Sequence, residues 1–373
     1  MRFLHTADWH LGKRLNGFDL LADQRAIFEQ LEHQALEKQV DAVVIAGDLF
    51  DRAIPSEAAV NELKAMLAAL NLTDHLPILA ISGNHDSAPR LGMASDWYAA
   101  NGLHLVTSFD QAFDPVTIKD TQFFLLPYFT LQAARNYFHD DSLTDINKVM
   151  ARVVERMQAQ FAPDKQHALV AHFFAAGSAR TAESETLIEV GGLSAVAVDL
   201  LAPFDYVALG HLHNRNALQA PRVKYAGSPL KLSASERQME KGSWLVDTAP
   251  FKLTWLPLHQ SPDLVKYSGS FADLTAPGAG DATNYCLIEL TDRGEIPDVM
   301  ARLRVHYPKI LTLSWANHQT TAPQAKRLAQ IKRQAPLDLL ATFFKESQGG
   351  QELTDQQRAW AQAALEAVER KDD

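Results

Sequence analysis

The sequence predicts an α/β protein with a large domain followed by a smaller one, and three observations carry that expectation. Short apolar, β-rich runs alternate with amphipathic stretches of helical period. Each early run ends in a carboxylate, an amide or an imidazole. A Gly/Pro/Ala stretch, Thr275–Thr283, precedes a second strand–helix–strand pattern. At 373 residues the chain exceeds one ordinary domain, and 47% hydrophobic with 21% charged residues suits a soluble globular protein with a sizeable core.

The first strand is Arg2–His5, and Asp23–Lys38 then has the period of a helix with Ile27, Phe28, Leu31 and Ala35 inward. A second cycle runs from Asp41–Asp48 into a helical pattern carrying Val60, Leu63, Met66, Leu67 and Leu70, and the third strand is Pro77–Asp86. Further strands are expected at His104–Thr107, Gln122–Leu126, Ala168–Phe173, Tyr206–Leu209 and Val223–Ala226, with a helix near Lys148–Phe161. No internal repeat is visible.

Beyond about residue 260 the chemistry-bearing motifs stop, and the pattern becomes strand Tyr285–Leu290, helix Ile296–His306 and strand Ile310–Trp315. From Leu337 two helices are expected, separated by Gly349–Gly350, the second with Thr354 as N-cap. The first puts Leu337, Leu340, Phe343 and Phe344 on one face, which either packs on its own domain or docks into a partner's groove.

Composition narrows the function. Cys286 is the single cysteine, so no disulfide forms within the chain and no Cys-based zinc site is possible; any metal falls to His, Asp, Asn or Glu. No apolar run is long enough for a membrane helix and the N-terminus lacks the apolar core of a secretory signal, so a cytoplasmic protein is expected. The net charge of −10 weighs against holding nucleic acid by bulk electrostatics, although bound divalent ions or a partner can supply local positive charge.

Five short motifs follow apolar runs in order: Asp8-Trp9-His10, Gly47-Asp48-Leu49-Phe50-Asp51, Gly83-Asn84-His85-Asp86, His172, and Gly210-His211-Leu212-His213. Singly each is weak, since a Gly-Asp is usually a turn and a strand-end His usually a hydrogen-bonded surface group. Together they gather five of the fourteen histidines at strand ends, where an open α/β sheet converges its polar groups on one crevice. Oxygen and imidazole donors suit a divalent ion such as Mn2+, and Asp48 is the natural bridge between two ions. The other nine histidines show no such pattern, and His5, inside the first strand, reads as a satisfied core residue.

These motifs resemble those of the calcineurin-like metallophosphoesterases over roughly the first 215 residues. The resemblance implies a four-layer β-sandwich flanked by helices, with a small α/β capping domain and C-terminal helices. It also implies two divalent ions, Mn2+ first and Mg2+ as the alternative, one on Asp8, His10, Asp48 and His213 and the other on Asp48, Asn84, His172 and His211. It places His85 beside the phosphate or leaving oxygen as a proton or hydrogen-bond donor, with Asp86 orienting its imidazole, and implies phosphoester hydrolysis without a covalent enzyme intermediate. Asp51 is expected to hold a ligand His in the correct tautomer, or else to cap a helix or loop.

The flanks narrow the resemblance. LHTADWHLG, VDAVVIAGDLFD, GNHDS, FDYVALGHLHN and YAGSPLKLSASE (Tyr225–Glu236) are similar to those of the SbcD nuclease family. One departure is His172, which sits in ALVAHFFAAGS where that family often has a Gly-His pair; the following Glu183–Gly192 again resembles the family's loop. The implied division is a metallophosphoesterase nuclease domain over 1–260, a capping domain over 261–335 and a helical segment over 336–373 that grips an SbcC-type ATPase. Implied too are DNA as substrate, ATP-dependent exonuclease action on duplex ends, endonuclease action on single strands and hairpins, and a nuclease homodimer in a 2:2 complex. Lys13, Arg14, Arg52 and Arg90 follow ligand motifs and are candidate DNA-backbone contacts or ordinary solvated residues, while Trp9, Phe50, Phe173 and Phe174 read as packing. Two rival readings stay open: a stand-alone phosphoesterase for a small nucleotide or cyclic nucleotide, which would carry the same core motifs, and a non-catalytic scaffold.

Overall fold

A computed structural model describes residues 1–179, 195–294, 296–316, 340, 341, 344 and 353–369. Its backbone falls into two compact units, Met1–Glu289 with Ile296–Ser314, and Leu290–Glu295 with Trp315–Asp373. Among the described residues no helix is long and apolar enough to cross a membrane.

Two sheets form the first unit's frame. One runs in the spatial order β13 (Phe251–Leu258), β12 (Lys241–Thr248), β1 (Arg2–Thr6), β4 (Ala42–Ile45), β5 (Ile78–Ile81), β6 (Leu103–Val106). Strands β1, β4, β5 and β6 are parallel; β12 joins β1 antiparallel and pairs in turn with β13. The other sheet runs β11 (Val223–Tyr225), β10 (Tyr206–Gly210), β9 (Gln166–His172), β8 (Thr121–Leu126), β7 (Val116–Ile118), parallel except for β7. A two-residue hairpin of β2 (Arg14–Leu15) and β3 (Phe18–Asp19) belongs to neither.

Period-two alternation decides which side chains fill which layer. Phe3, Val44, Leu79 and Ile81 from the first sheet meet Phe123, Leu125, Val170 and Tyr206 from the second, with Phe3 set edge-on to the Phe123 and Tyr206 rings. The intervening residues Leu4, Val43, Ile45 and Ile78 point outward, against α1 (Leu21–Glu37) and α2 (Glu57–Ala68). On the other side Phe124, Leu169, Val207 and Leu209 pack against the helix Ile146–Gln158, which buries Val149, Met150, Val153 and Met157. Helix, sheet, sheet and helix thus make four layers, the architecture that the resemblance implies. His5 is fully buried between the sheets, its Nδ1 2.9 Å from the Tyr206 hydroxyl, in agreement with a core role.

A three-stranded sheet, β14 (Leu264–Gly269), β15 (Tyr285–Leu290) and β16 (Ile310–Trp315), follows, with its helix limited to Val299–Arg304. That helix starts later than its apolar pattern suggested: Pro297 disfavours helical geometry at Ile296, and Asp298 takes a left-handed φ of 52° just before Val299. The sheet is tied to the larger core by the Tyr285 hydroxyl on Asp23 Oδ2 (2.7 Å) and by Lys231 on Asp263 (2.6 Å).

In the second unit the helix Asp355–Glu369 starts on a reciprocal cap: Gln357 N donates to Thr354 Oγ1 at 3.3 Å and Thr354 N to Gln357 Oε1 at 3.0 Å. Most of the expected helix from Leu337, including Leu337 and Phe343 themselves, lies outside the described residues, as does Glu183–Gly192.

Candidate metal centre

Five strand ends deliver the motif residues to one place: β1 leads to Asp8 and His10, β4 to Asp48, β5 to Asn84 and His85, β9 ends on His172, and β10 leads to His211 and His213. Parallel pairing of neighbours is what makes these ends coincide. Asp8, His10, Asp48 and His211 all take positive φ, at 53°, 44°, 51° and 95°. For non-glycine residues this costs about 1–3 kcal/mol each, strain that the two packed sheets hold in place.

Backbone amides aim the carboxylates. His211 N donates to Asp8 Oδ1 at 2.9 Å and His85 N to Asp48 Oδ1 at 2.9 Å, so each acid keeps its other oxygen for the crevice. Asp48 Oδ2 lies 3.5 Å from His10 Nε2 and 3.3 Å from His172 Nε2, between two groups of donors. On one side His10 Nε2 faces His213 Nε2 at 3.1 Å. On the other, Asn84 Oδ1 lies 2.9 Å from His172 Nε2 and 3.0 Å from His211 Nδ1. Gly83 must be glycine here, because a Cβ would stand 2.1 Å from Asp48 Oδ1.

Ring orientation is set from outside the cluster. His172 Nδ1 donates to the Ala46 carbonyl at 2.8 Å, and His213 Nδ1 to Glu236 Oε1 at 3.0 Å, leaving Nε2 of both rings turned inward. His85 Nδ1 donates to the Asp51 carbonyl at 2.9 Å, which likewise frees its Nε2.

The donor set fits divalent ions. Asp8 Oδ2 is buried without a hydrogen-bond partner among the described residues, an expensive arrangement unless a cation satisfies it. Ligand atoms of Asp8, His10 and Asp48 all lie within 4.8 Å of one another. Burial opposes charge on Asp48, yet His172, His10 and His85 hold its carboxyl well below the usual carboxylate range. Burial likewise opposes charge on His172, but Asp48 and Asp8 push it up to about 9, so a proton and a metal compete for the same lone pair. His211, desolvated and next to His172, is held down to about 3.

Asp86 departs from its expected role. Its carboxylate accepts from Leu49 N (3.1 Å), Phe50 N (2.9 Å) and Gly83 N (2.9 Å), tying the Asp48 loop to the Asn84 loop, and the contact that orients the His85 ring comes from the Asp51 main chain instead. Burial and the nearby Asp48 charge push Asp86 up to about 6 against the pull of those amides. The Asp51 carboxylate stands 3.7 Å from His10 Nδ1 and takes Lys13 Nζ at 2.9 Å, with Arg52 Nε at 3.6 Å.

Of the basic candidates, Lys13, Arg52 and Arg90 gather at this segment, Arg90 through a 2.9 Å bond to the Ala53 carbonyl. Arg14 instead turns its guanidinium to Gly17 O. Trp9 and Phe50 are buried in the core, and Phe173 and Phe174 are partly buried against the cluster on the outer side of the second sheet. Glu236 and Lys241 were not legible as site residues. The one signal was that Glu236 closes the family-like run Tyr225–Glu236, and its meaning depends on a lysine in the next strand.

Residues 1–215 match the family model of the calcineurin-like phosphoesterases, and residues 261–348 that of the type 5 capsule protein repressor C-terminal domain. The chain is 34% identical over 350 residues to the SbcD component of the SbcCD nuclease of Staphylococcus epidermidis, covering 92% of this chain and 93% of that one. Among solved structures it is similar to a protein of Thermus thermophilus, at 12% identity and a TM-score of 0.40, over 69% of this chain and 99% of that one. A dimetal phosphatase from Danio rerio gives 14% identity and a TM-score of 0.41, over 70% of this chain and 99% of that one.

Proposed function

This chain belongs to the calcineurin-like phosphoesterase family and, within it, to the SbcD nucleases, and from that membership we propose that it is the nuclease subunit of an SbcC–SbcD-type complex, hydrolysing DNA phosphodiesters. The observation that carries the chemistry is Asp48 Oδ2 lying between His10 and His172, one oxygen within reach of two groups of donors. One ion is assigned to Asp8, His10, Asp48 and His213, the other to Asp48, Asn84, His172 and His211, with Mn2+ the metal. When bound, the pair supplies Lewis-acid neutralisation of the charge that builds on the phosphoryl oxygens.

The chain's own residues do the rest. Asp8 and Asp48, each pinned by a backbone amide, keep one oxygen fixed in the crevice through the reaction. His85 holds one proton at Nδ1 against the Asp51 carbonyl, so a second proton at Nε2 can pass to the leaving oxygen. Asp86 acts by holding the two loops in register, Asp51 by neutralising Lys13 and facing His10.

A stand-alone esterase for a small nucleotide is not favoured. The match to the relative runs through the appendage as well as the core, and residues 261–348 match a C-terminal domain family. We assign residues 1–260 to the nuclease domain, 261–335 to a capping domain and 336–373 to a segment that binds the SbcC-type ATPase, with two nuclease and two ATPase subunits in a cytoplasmic complex. Lys13, Arg14, Arg52 and Arg90 are assigned to the DNA backbone, and Arg52 has 74% of its side chain exposed. The test is cleavage of circular single-stranded DNA by the purified chain with Mn2+, beside a chromogenic phosphodiester and an Asp48→Ala control. DNA cutting abolished by Asp48→Ala supports the assignment; hydrolysis of the chromogenic ester alone, even with the ATPase and ATP present, overturns the substrate.

A further inference from the structure

We infer that Glu236 is a positioning residue for the metal site that includes His213, and that Lys241 is its buried counter-charge. The inference rests on the two-metal reading above. Glu236 is completely buried, lies outside the ligand motifs, and receives five donors. His213 Nδ1 reaches Oε1 at 3.0 Å and Ser233 Oγ reaches the same oxygen at 3.1 Å. Ser228 Oγ (3.1 Å), Leu232 N (3.3 Å) and Lys241 Nζ (2.5 Å) bind Oε2. A carboxylate held at both oxygens cannot turn away from the ring.

An ionised carboxylate only accepts hydrogen bonds, so the proton on His213 must sit at Nδ1 and the lone pair at Nε2, the atom facing His10. Lys241 secures the other half of the same residue: its Nζ, besides pairing with Glu236, donates to the His213 carbonyl at 2.9 Å and to Ser228 Oγ at 2.7 Å. Ring and main chain of His213 are therefore both anchored by the segment Ser228–Lys241. This gives the Tyr225–Glu236 run a physical purpose. At the other ion, His172 uses the Ala46 carbonyl for its Nδ1 instead.

The test titrates Mn2+ into the EDTA-stripped full-length chain, reading the electron paramagnetic resonance signal of free Mn2+, with thermal midpoints measured in parallel. The variants are Glu236→Gln and the double variant Glu236→Gln with Lys241→Met, which leaves no buried charge unpaired. Two ions are expected on the wild type; Glu236→Gln should weaken one of them about 10–100-fold and leave the other unchanged. The double variant should regain thermal midpoint without regaining that affinity. If affinity returns together with the midpoint, Glu236 acts through stability alone and the inference fails; equal weakening of both ions, or of neither, overturns it too. Should Glu236→Gln not fold, the double variant is compared with the wild type: one ion weakened at a midpoint near the wild type's upholds the inference, and two ions at wild-type affinity overturn it. A wild-type chain that binds no ion contradicts the two-metal reading itself, a separate failure.

Discussion

Removing the Asp86 carboxylate separates the loop-bridging role its contacts show from the imidazole-orienting role expected from the resemblance. Three backbone amides, from Leu49, Phe50 and Gly83, converge on it, at 3.1, 2.9 and 2.9 Å. A hydrogen bond to a charged acceptor contributes about 1.5–3 kcal/mol, but Asp86 itself is only half-buried and water can replace part of each bond, so Asp86→Ala is expected to cost about 3 kcal/mol in total. For a chain of 373 residues that corresponds to a thermal midpoint lower by about 4 °C. Asp86→Asn keeps one acceptor oxygen and turns an amide N–H toward a backbone N–H, an intermediate loss of about 2 kcal/mol. The assay is a circular-dichroism melt of the EDTA-treated chain, with hydrolysis of a chromogenic phosphodiester measured well below the midpoint. An unchanged midpoint with kcat reduced as far as in His85→Ala would refute this reasoning, because Asp86 would then act through the imidazole.

His85→Ala should keep both ions by elemental analysis while kcat falls about 10²–10⁴-fold; loss of metal would show that the ring is a ligand. His5, fully buried, is pushed down to about 3 by desolvation, whereas in the unfolded chain it titrates at its ordinary 6.5. The folded state therefore keeps this contribution above pH 6.5 and loses it as pH falls toward 3. Between about pH 6.5 and 5 the loss is about 2 kcal/mol, and His5→Gln should remove that slope from urea unfolding curves; an identical slope would contradict the assignment. Deleting residues 337–373 should abolish co-purification with the ATPase while metal-dependent ester hydrolysis persists, and a truncated chain that still co-purifies would relocate the contact.

The strands were legible because the sequence carries apolar runs with polar ends, and β1, β4, β5, β8, β9 and β10 all lie within a residue or a few of where those runs predict them, while their stacking into four layers was legible only through the family resemblance. The hairpin β12–β13 was not. Its first strand contains Lys241 and Ser243, both buried, and its second contains Pro257, which reads as a break until an edge position is known. The convergence of Asp8, His10, Asp48, Asn84, His172, His211 and His213 followed from motif order, since parallel strands bring their ends together. What local sequence could not convey is which atom each supporting group touches. Asp86, adjacent to His85, serves the backbone of a loop 36 and 37 residues earlier, and Glu236 reaches His213 across 23 residues. Both depend on loop geometry that only the assembled sheets create.

The most direct test of a two-ion nuclease centre bridged by Asp48 is cleavage of circular single-stranded DNA measured against equivalents of Mn2+ added to the metal-stripped chain. Cutting should rise only as the second equivalent binds and should be absent at every ratio in Asp48→Ala. Full activity at one equivalent, or cutting that survives Asp48→Ala, would contradict it.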